Sequence, residues 1–259
     1  MKAVINGTEL GFEVLGEAGI PLVLIHGFGL DRTIWRNMIR EYMPHQFVIL
    51  PDVRGHGESD APAGPYSMDQ LADDLAGLLK HLSVDKAIVC GHSMGGYISL
   101  AFAERHYQQL AGLGLITSRA QADSEAKRKS RYDLIERILK RGAVELAEAL
   151  APRLSKDETI ISATYDKIKQ TSPMGLIGAT RAMAERPDRM DLLPQLSIPA
   201  LVVAGVEDQI VELGDAEEMA TEFPDASFLA IPDAGHMPMW EKPLILAEGL
   251  LDLIKRVNQ

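Results

Sequence analysis

The chain is 259 residues long and contains one cysteine, Cys90, so no intrachain disulfide and no thiolate metal cluster can form. It has no His-Glu-x-x-His segment and no Cys-x-x-Cys pair, the spacings that mark common metal sites. Gly-x-Gly-x-x-Gly and the Walker loop are missing too. His26-Gly27-Phe28-Gly29 has the look of a phosphate cradle but lacks the later glycine and lysine. Neither a metal nor a cofactor is expected. No apolar stretch approaches the ~20 residues that cross a bilayer. Met1-Lys2-Ala3-Val4 runs straight into a strand-like segment, so no signal peptide is expected and the chain reads as cytoplasmic. Positive charge is scarce: 26 Lys and Arg stand against 37 Asp and Glu, a net charge of −11. Such a balance repels nucleic acid and anionic membrane surfaces, and argues against both as partners.

Hydrophobic residues make up 46% of the chain, enough for a substantial core. Asn6-Gly7 between Lys2–Ile5 and Glu9–Gly16 is a hairpin signal, because both residues tolerate positive φ. Apolar runs at 21–25, 47–50, 87–90, 110–116, 200–204 and 227–231 read as strands. Helical spacing falls between them, as in Met68, Leu71, Leu75, Leu78 and Leu82 behind Ser67. Asp31 or Thr33 could cap the helix that carries Ile34, Trp35, Met38 and Ile39. Strands alternating with helices predict an α/β protein with a mostly parallel sheet covered on both faces. The alternation stops between 118 and 196. There, segments at 124–141, 143–150, 157–170 and 173–186 all read as helices, separated by Gly142, Pro152, Pro173 and Pro187. Residues 1–117 and 197–259 are therefore expected to form one core domain, with 118–196 as a helical cap.

The central stretch is Gly91-His92-Ser93-Met94-Gly95-Gly96, between the apolar run 87–90 and a helix-like segment. Strand, Gly-x-Ser-x-Gly, helix is the context of a nucleophile elbow, in which a strained turn exposes the serine hydroxyl above the sheet. Asp208 follows the 200–204 strand and His236 follows the 227–231 strand. The carboxyl ends of parallel strands share one edge, so residues distant in sequence can meet there. A serine hydroxyl needs a base at neutral pH. His236 is expected to be that base, and Asp208 the acid that orients it and stabilises the imidazolium. Glu207 is the rival acid, and a helix cap or turn is the alternative role for Asp208. The N–H groups of Met94 and Phe28 are expected to meet the oxyanion. His26 and His92 are read as structural, and Asp52, Arg54 and His56 as pinning their own loop.

In these motifs the chain resembles the α/β-hydrolase superfamily. The carriers are His-Gly-Phe-Gly (26–29), Asp-Val-Arg-Gly-His-Gly-Glu-Ser (52–59), Gly-His-Ser-Met-Gly-Gly (91–96), Gly-Val-Glu-Asp (205–208) and Ala-Gly-His (234–236). Residues 117–124 and 183–188, entering and leaving the insertion, are similar to those of small bacterial carboxylesterases close to 3-oxoadipate enol-lactonases. The resemblance implies an α/β-hydrolase fold with a helical cap, hydrolysis of short acyl esters and no cofactor. Serine at 93 argues against the haloalkane dehalogenases and epoxide hydrolases, which place aspartate there. Ile210-Val211-Glu212 lacks the proline usual in the family.

A carboxylesterase acting on a small-molecule ester through an acyl-enzyme is the expected function, with the protein a monomer or homodimer. A lactonase or enol-lactonase using the same residues is the second reading. A ligand-binding receptor on the same fold is the third, and the intact Ser, Asp and His argue against it. Phe28, Trp35, Met94, Met237 and Met239 are candidate walls of the substrate pocket, although core packing accounts equally well for Trp35 and Met239. Lys127, Arg128, Lys129 and Arg131 form a basic run, read as a solvated helix face rather than a receptor for a substrate carboxylate.

Overall fold

The computed structural model describes residues 1–259. Asn6 and Gly7 take φ of 48° and 77°. They fold β1 (Lys2–Ile5) back onto β2 (Thr8–Leu15) as an antiparallel pair. Then follow β3 (Ala18–Ile25), α1 (Arg36–Tyr42), β4 (Gln46–Pro51), α2 (Met68–His81), β5 (Ala87–His92), α3 (Met94–Arg105) and β6 (Leu110–Ile116). Four helices come next with no strand between them: α4 (Glu125–Arg141), α5 (Val144–Leu154), α6 (Glu158–Gln170) and α7 (Pro173–Ala184). Alternation resumes with β7 (Ala200–Gly205), α8 (Leu213–Glu222), β8 (Ala226–Ile231), the short α9 (Pro238–Glu241) and α10 (Pro243–Val257).

The eight strands form one sheet in the order β1-β2-β4-β3-β5-β6-β7-β8. β2 pairs antiparallel with β1 and β4, and every other pair is parallel. Successive side chains of a strand point to opposite faces, and the two apolar layers follow that alternation. Val23, Ile25, Val89, Leu113 and Val202 pack with α2, α3 and α8 on one side. Leu22, Leu24, Ile88, Cys90, Leu201 and Val203 pack with α1 and α10 on the other. The Cys90 thiol is fully buried, and burial pushes its pKa up. No helix is long and apolar enough to cross a membrane.

Local chemistry sets the helix ends. Ser67 accepts a bond from the Gln70 N–H at 3.0 Å and caps α2. Asp31, not Thr33, caps the 3-10 turn Arg32–Trp35 that leads into α1, accepting from the Thr33 N–H at 2.8 Å. One end differs from expectation. Pro152 does not terminate α5, which runs on to Leu154. Proline there removes only the bond to the Glu148 carbonyl, and Glu148 is exposed, so water can take its place.

The loop after β4 is pinned by buried charge. Arg54 makes a bidentate pair with Asp74 of α2 at 2.7 and 2.8 Å, with both side chains at most 5% exposed. The Asp52 carboxylate accepts from the N–H groups of Arg32 and Glu58, each at 2.8 Å, and pairs with the Arg32 guanidinium. Removing one partner strands the other charge in the interior. Asp74→Ala is expected to lower stability by about 3–5 kcal/mol, and Asp74→Ala with Arg54→Met to recover part of the loss. The shift of the urea unfolding midpoint checks both.

Candidate active site

Ser93 joins β5 to α3 with φ 53° and ψ −113°, a backbone conformation that costs a non-glycine residue about 1–3 kcal/mol. The surroundings hold it there. The Ser93 N–H donates to the Ile116 carbonyl of β6 at 2.9 Å. Its carbonyl accepts from the Gly96 N–H at 2.9 Å and the Ser118 hydroxyl at 2.8 Å. The turn is tight enough to require glycine on both sides. A Cβ on Gly91 would lie 2.0 Å from the Gly95 carbonyl carbon, and one on Gly95 would lie 2.5 Å from the Ile25 carbonyl oxygen.

β3, β5, β7 and β8 are parallel members of one sheet, so their carboxyl ends open on a common edge. Phe28, Ser93, Asp208 and His236 follow those ends. His236 Nδ1 lies 2.7 Å from Asp208 Oδ2, and each side chain is 2% exposed. The other Asp208 oxygen accepts from the N–H groups of Ile210 at 2.7 Å and Val211 at 3.2 Å. A proline at either position could not donate. Ile210 and Val211 both keep their N–H groups, and these two bonds hold the Asp208 carboxylate in place. Glu207 points elsewhere and pairs with Lys156 at 2.8 Å.

Ser93 and His236 line one cavity of about 180 Å³. Phe28 forms part of the same wall. Among the backbone bonds of turns, loops and caps, neither the Phe28 nor the Met94 N–H has an acceptor. The opposite wall comes from the helical insertion, with Leu146, Leu150 and Leu154 of α5 and Leu134 of α4. Trp35 and Met237 require correction: both are fully buried in the layer beneath the edge and neither lines the cavity. The Trp35 and His92 rings pack in a T-shaped arrangement with centroids 6.3 Å apart, while Met94 and Met239 are likewise core residues. An apolar residue near a motif is drawn inward by the same force that would make it a pocket wall.

The basic run divides. Lys127 and Arg131 line the cavity, whereas Arg128 and Lys129 do not. Arg119, Arg137 and Arg153 join them, and Asp123 is the single acidic residue of the lining. Asp123 pairs with Arg131 and Arg186, Arg137 pairs with Glu145 at 3.0 Å, and Arg119 lies 3.5 Å from Asp215. Lys127 and Arg153 have no carboxylate partner, and Arg153 donates only to the Gln209 carbonyl, at 2.9 Å. Lys127 is exposed overall. Even so, partial burial of its ammonium, followed by the like charges of Arg131 and Arg153, holds its pKa below the ordinary lysine value.

The remaining buried imidazoles position loops. His26 Nδ1–H donates to the Gly27 carbonyl at 2.8 Å and Nε2 accepts from the Val53 N–H at 2.9 Å, tying the Phe28 loop to the Asp52 loop. Burial pushes its pKa down to about 4. His92 Nε2–H donates to the His236 carbonyl at 2.8 Å. Thr117 Oγ1 reaches the same carbonyl at 3.3 Å. Nothing in the sequence marks Thr117 or Ser118 as supports of the site, because their roles depend on which strand lies beside β5.

A family model described as the alpha/beta hydrolase family matches residues 22–248. The 3-oxoadipate enol-lactonase 2 of Acinetobacter baylyi is 29% identical, with 96% of this chain and 94% of that protein aligned. A thermophilic esterase from Thermogutta terrifontis, solved with malate bound, superposes with a TM-score of 0.94 at 39% identity, covering 100% of this chain and 99% of that one. The enol-lactonase from Burkholderia xenovorans superposes with a TM-score of 0.90 at 28% identity, covering 98% and 100%.

The elbow leaves no room for a side chain at its first position. Gly91→Ala is expected to lower stability by about 3 kcal/mol, the upper end for overpacking. It should also slow fluorophosphonate labelling of Ser93. Thermal melting and the labelling rate check the two effects.

Proposed function

The chain belongs to the alpha/beta hydrolase family, and from that premise we propose that it is a serine carboxylesterase working through an acyl-enzyme. The observation that carries the reading is the 2.7 Å contact of His236 Nδ1 with Asp208, on an imidazole that opens onto the cavity Ser93 lines. His236 Nε2 takes the Ser93 proton as the hydroxyl attacks the acyl carbon. Asp208 holds the Nδ1–H tautomer and stabilises the imidazolium. The N–H groups of Phe28 and Met94 receive the developing oxyanion. The imidazolium then returns its proton to the departing alcohol, and a water repeats the sequence to release the acid. The insertion acts as a cap that excludes solvent from these steps. The esterase and enol-lactonase relatives support ester hydrolysis.

A lactonase using the same groups is the second reading, and the basic lining favours it. Lys127 and Arg153 offer unneutralised charge to a substrate carboxylate, as an enol-lactone would need. The related esterase that holds malate, a dicarboxylate, supports the same chemistry.

Ser93→Ala is expected to lower kcat for p-nitrophenyl butyrate by roughly 10⁶-fold with the circular dichroism spectrum unchanged. Asp208→Asn should lower it by roughly 10⁴-fold. Undiminished turnover by the Ser93→Ala protein ends the proposal. Lys127→Met should raise KM for a carboxylate-bearing ester or lactone by roughly tenfold and leave a neutral ester unaffected. The ammonium carries its charge below its pKa. In the unsubstituted protein, KM for the anionic substrate should therefore rise with pH through an alkaline limb below the ordinary lysine range, and Lys127→Met should abolish that limb. Steady-state kinetics on paired neutral and anionic substrates, taken across pH, read both effects.

A further inference from the structure

A carboxylate outside the cavity grips the loop that carries His236. Glu241 ends α9, and its Oε2 accepts from the N–H of Gly235 at 2.9 Å and from the N–H of Met237 at 3.1 Å. These are the two amides on either side of His236. Its Oε1 accepts from the Ser155 hydroxyl at 2.5 Å. The amide of His236 itself donates to the carbonyl of Leu154, the residue before Ser155, at 3.0 Å. Three successive N–H groups therefore end on one carboxylate and on the corner where α5 stops. No basic side chain stands within ion-pair distance of Glu241, so the amides and the hydroxyl are what hold its charge.

We propose that Glu241 is a positioning residue for His236, bridging the loop of the base to the last turn of α5 through Ser155. The proposal rests on the esterase reading above, since it assigns a support to the base of that reaction. The same turn of α5 contributes Arg153 and Leu154 to the cavity wall. One short segment thus sets both the wall that a substrate touches and the backbone from which the imidazole projects. Asp208 fixes the rotation of the ring, whereas Glu241 fixes where the ring begins. A displacement of about 1 Å in such a group can cost roughly 10²-fold in rate.

Glutamine at 241 can keep the arrangement. Its carbonyl oxygen can accept from the two amides while its NH₂ donates to the Ser155 oxygen. Alanine removes all three acceptor contacts. Glu241→Ala is accordingly expected to lower kcat for p-nitrophenyl butyrate by roughly 10²-fold, with KM changed less than about threefold, and to slow fluorophosphonate labelling of Ser93 in parallel. Glu241→Gln should restore kcat to within about tenfold of the unsubstituted protein, since the three bonds survive without the charge. Ser155→Ala, which cuts the link from Glu241 to the end of α5 together with the 3.2 Å bond from the Asp157 N–H, should lower kcat by roughly three- to tenfold.

A folded Glu241→Ala protein with undiminished kcat, or one whose loss lies in KM alone, overturns the proposal. If Glu241→Ala does not fold, Ser155→Ala decides, and an unchanged kcat there overturns it. An unsubstituted protein that neither hydrolyses esters nor labels at Ser93 overturns the esterase reading, and this proposal with it. An active protein indifferent to Glu241→Ala overturns this proposal alone.

Discussion

The site depends on one backbone constraint, the reversal of the chain at Ser93. A residue with a Cβ is held at φ 53°, at a cost of about 1–3 kcal/mol. The bonds from Ser93 to Ile116, Gly96 and Ser118 offset that cost, and the bare backbones of Gly91 and Gly95 make the approach possible. One conformational choice then has two consequences. It turns the serine side chain toward the cavity, and it starts α3 at Met94, leaving an unpaired N–H beside that side chain. The proposed nucleophile and a proposed oxyanion donor are therefore placed by the same turn. Their relative geometry is as rigid as the strand and helix they join.

How much of this could be read from the chain alone follows from the range of the forces involved. The hairpin at Asn6-Gly7, the capped helix at Ser67 and the turn at Ser93 are local, each written in a few adjacent residues. The sheet order was legible only as an alternation of segments. β4 crosses to the far side of β3, and nothing in residues 46–51 says so. Trp35 and Met237 show the limit from another side. Apolar character says that a residue leaves water, not whether it faces a core or a cavity. The cavity charge was legible only in part. Lys127 and Arg131 lie together in sequence, but Arg119, Arg137 and Arg153 join them only through the packing of the insertion against the core.

That packing also resolves an apparent contradiction in the charge. The molecule carries −11 overall, yet the cavity lining has five basic side chains and one acidic one. Long-range fields repel an anion from the acidic surface, but screening limits their reach to about 8–10 Å at moderate ionic strength. Inside a concave, partly desolvated site the nearest charges dominate. The surface and the cavity can thus carry opposite preferences, and net charge says little about the substrate. It bears on nucleic acid and membranes because those partners meet the whole face of the protein at once.

The crowd of imidazoles near the cavity raises a further question of selectivity, since the proposed base should not meet another cation when it takes up a proton. His92 lies 4.9 Å from His236, centroid to centroid, and His26 and His56 lie 5.3 Å apart. Burial answers it. The His26 pKa is pushed down to about 4 and that of His56 to about 3, while burial and the neighbouring His236 hold His92 well below the ordinary range. These three rings stay neutral at physiological pH and act as fixed dipoles and donors. Of the four buried histidines, only His236 has a carboxylate against its ring. The fold therefore gives a carboxylate partner to one ring, that of the proposed base, and withholds one from its neighbours.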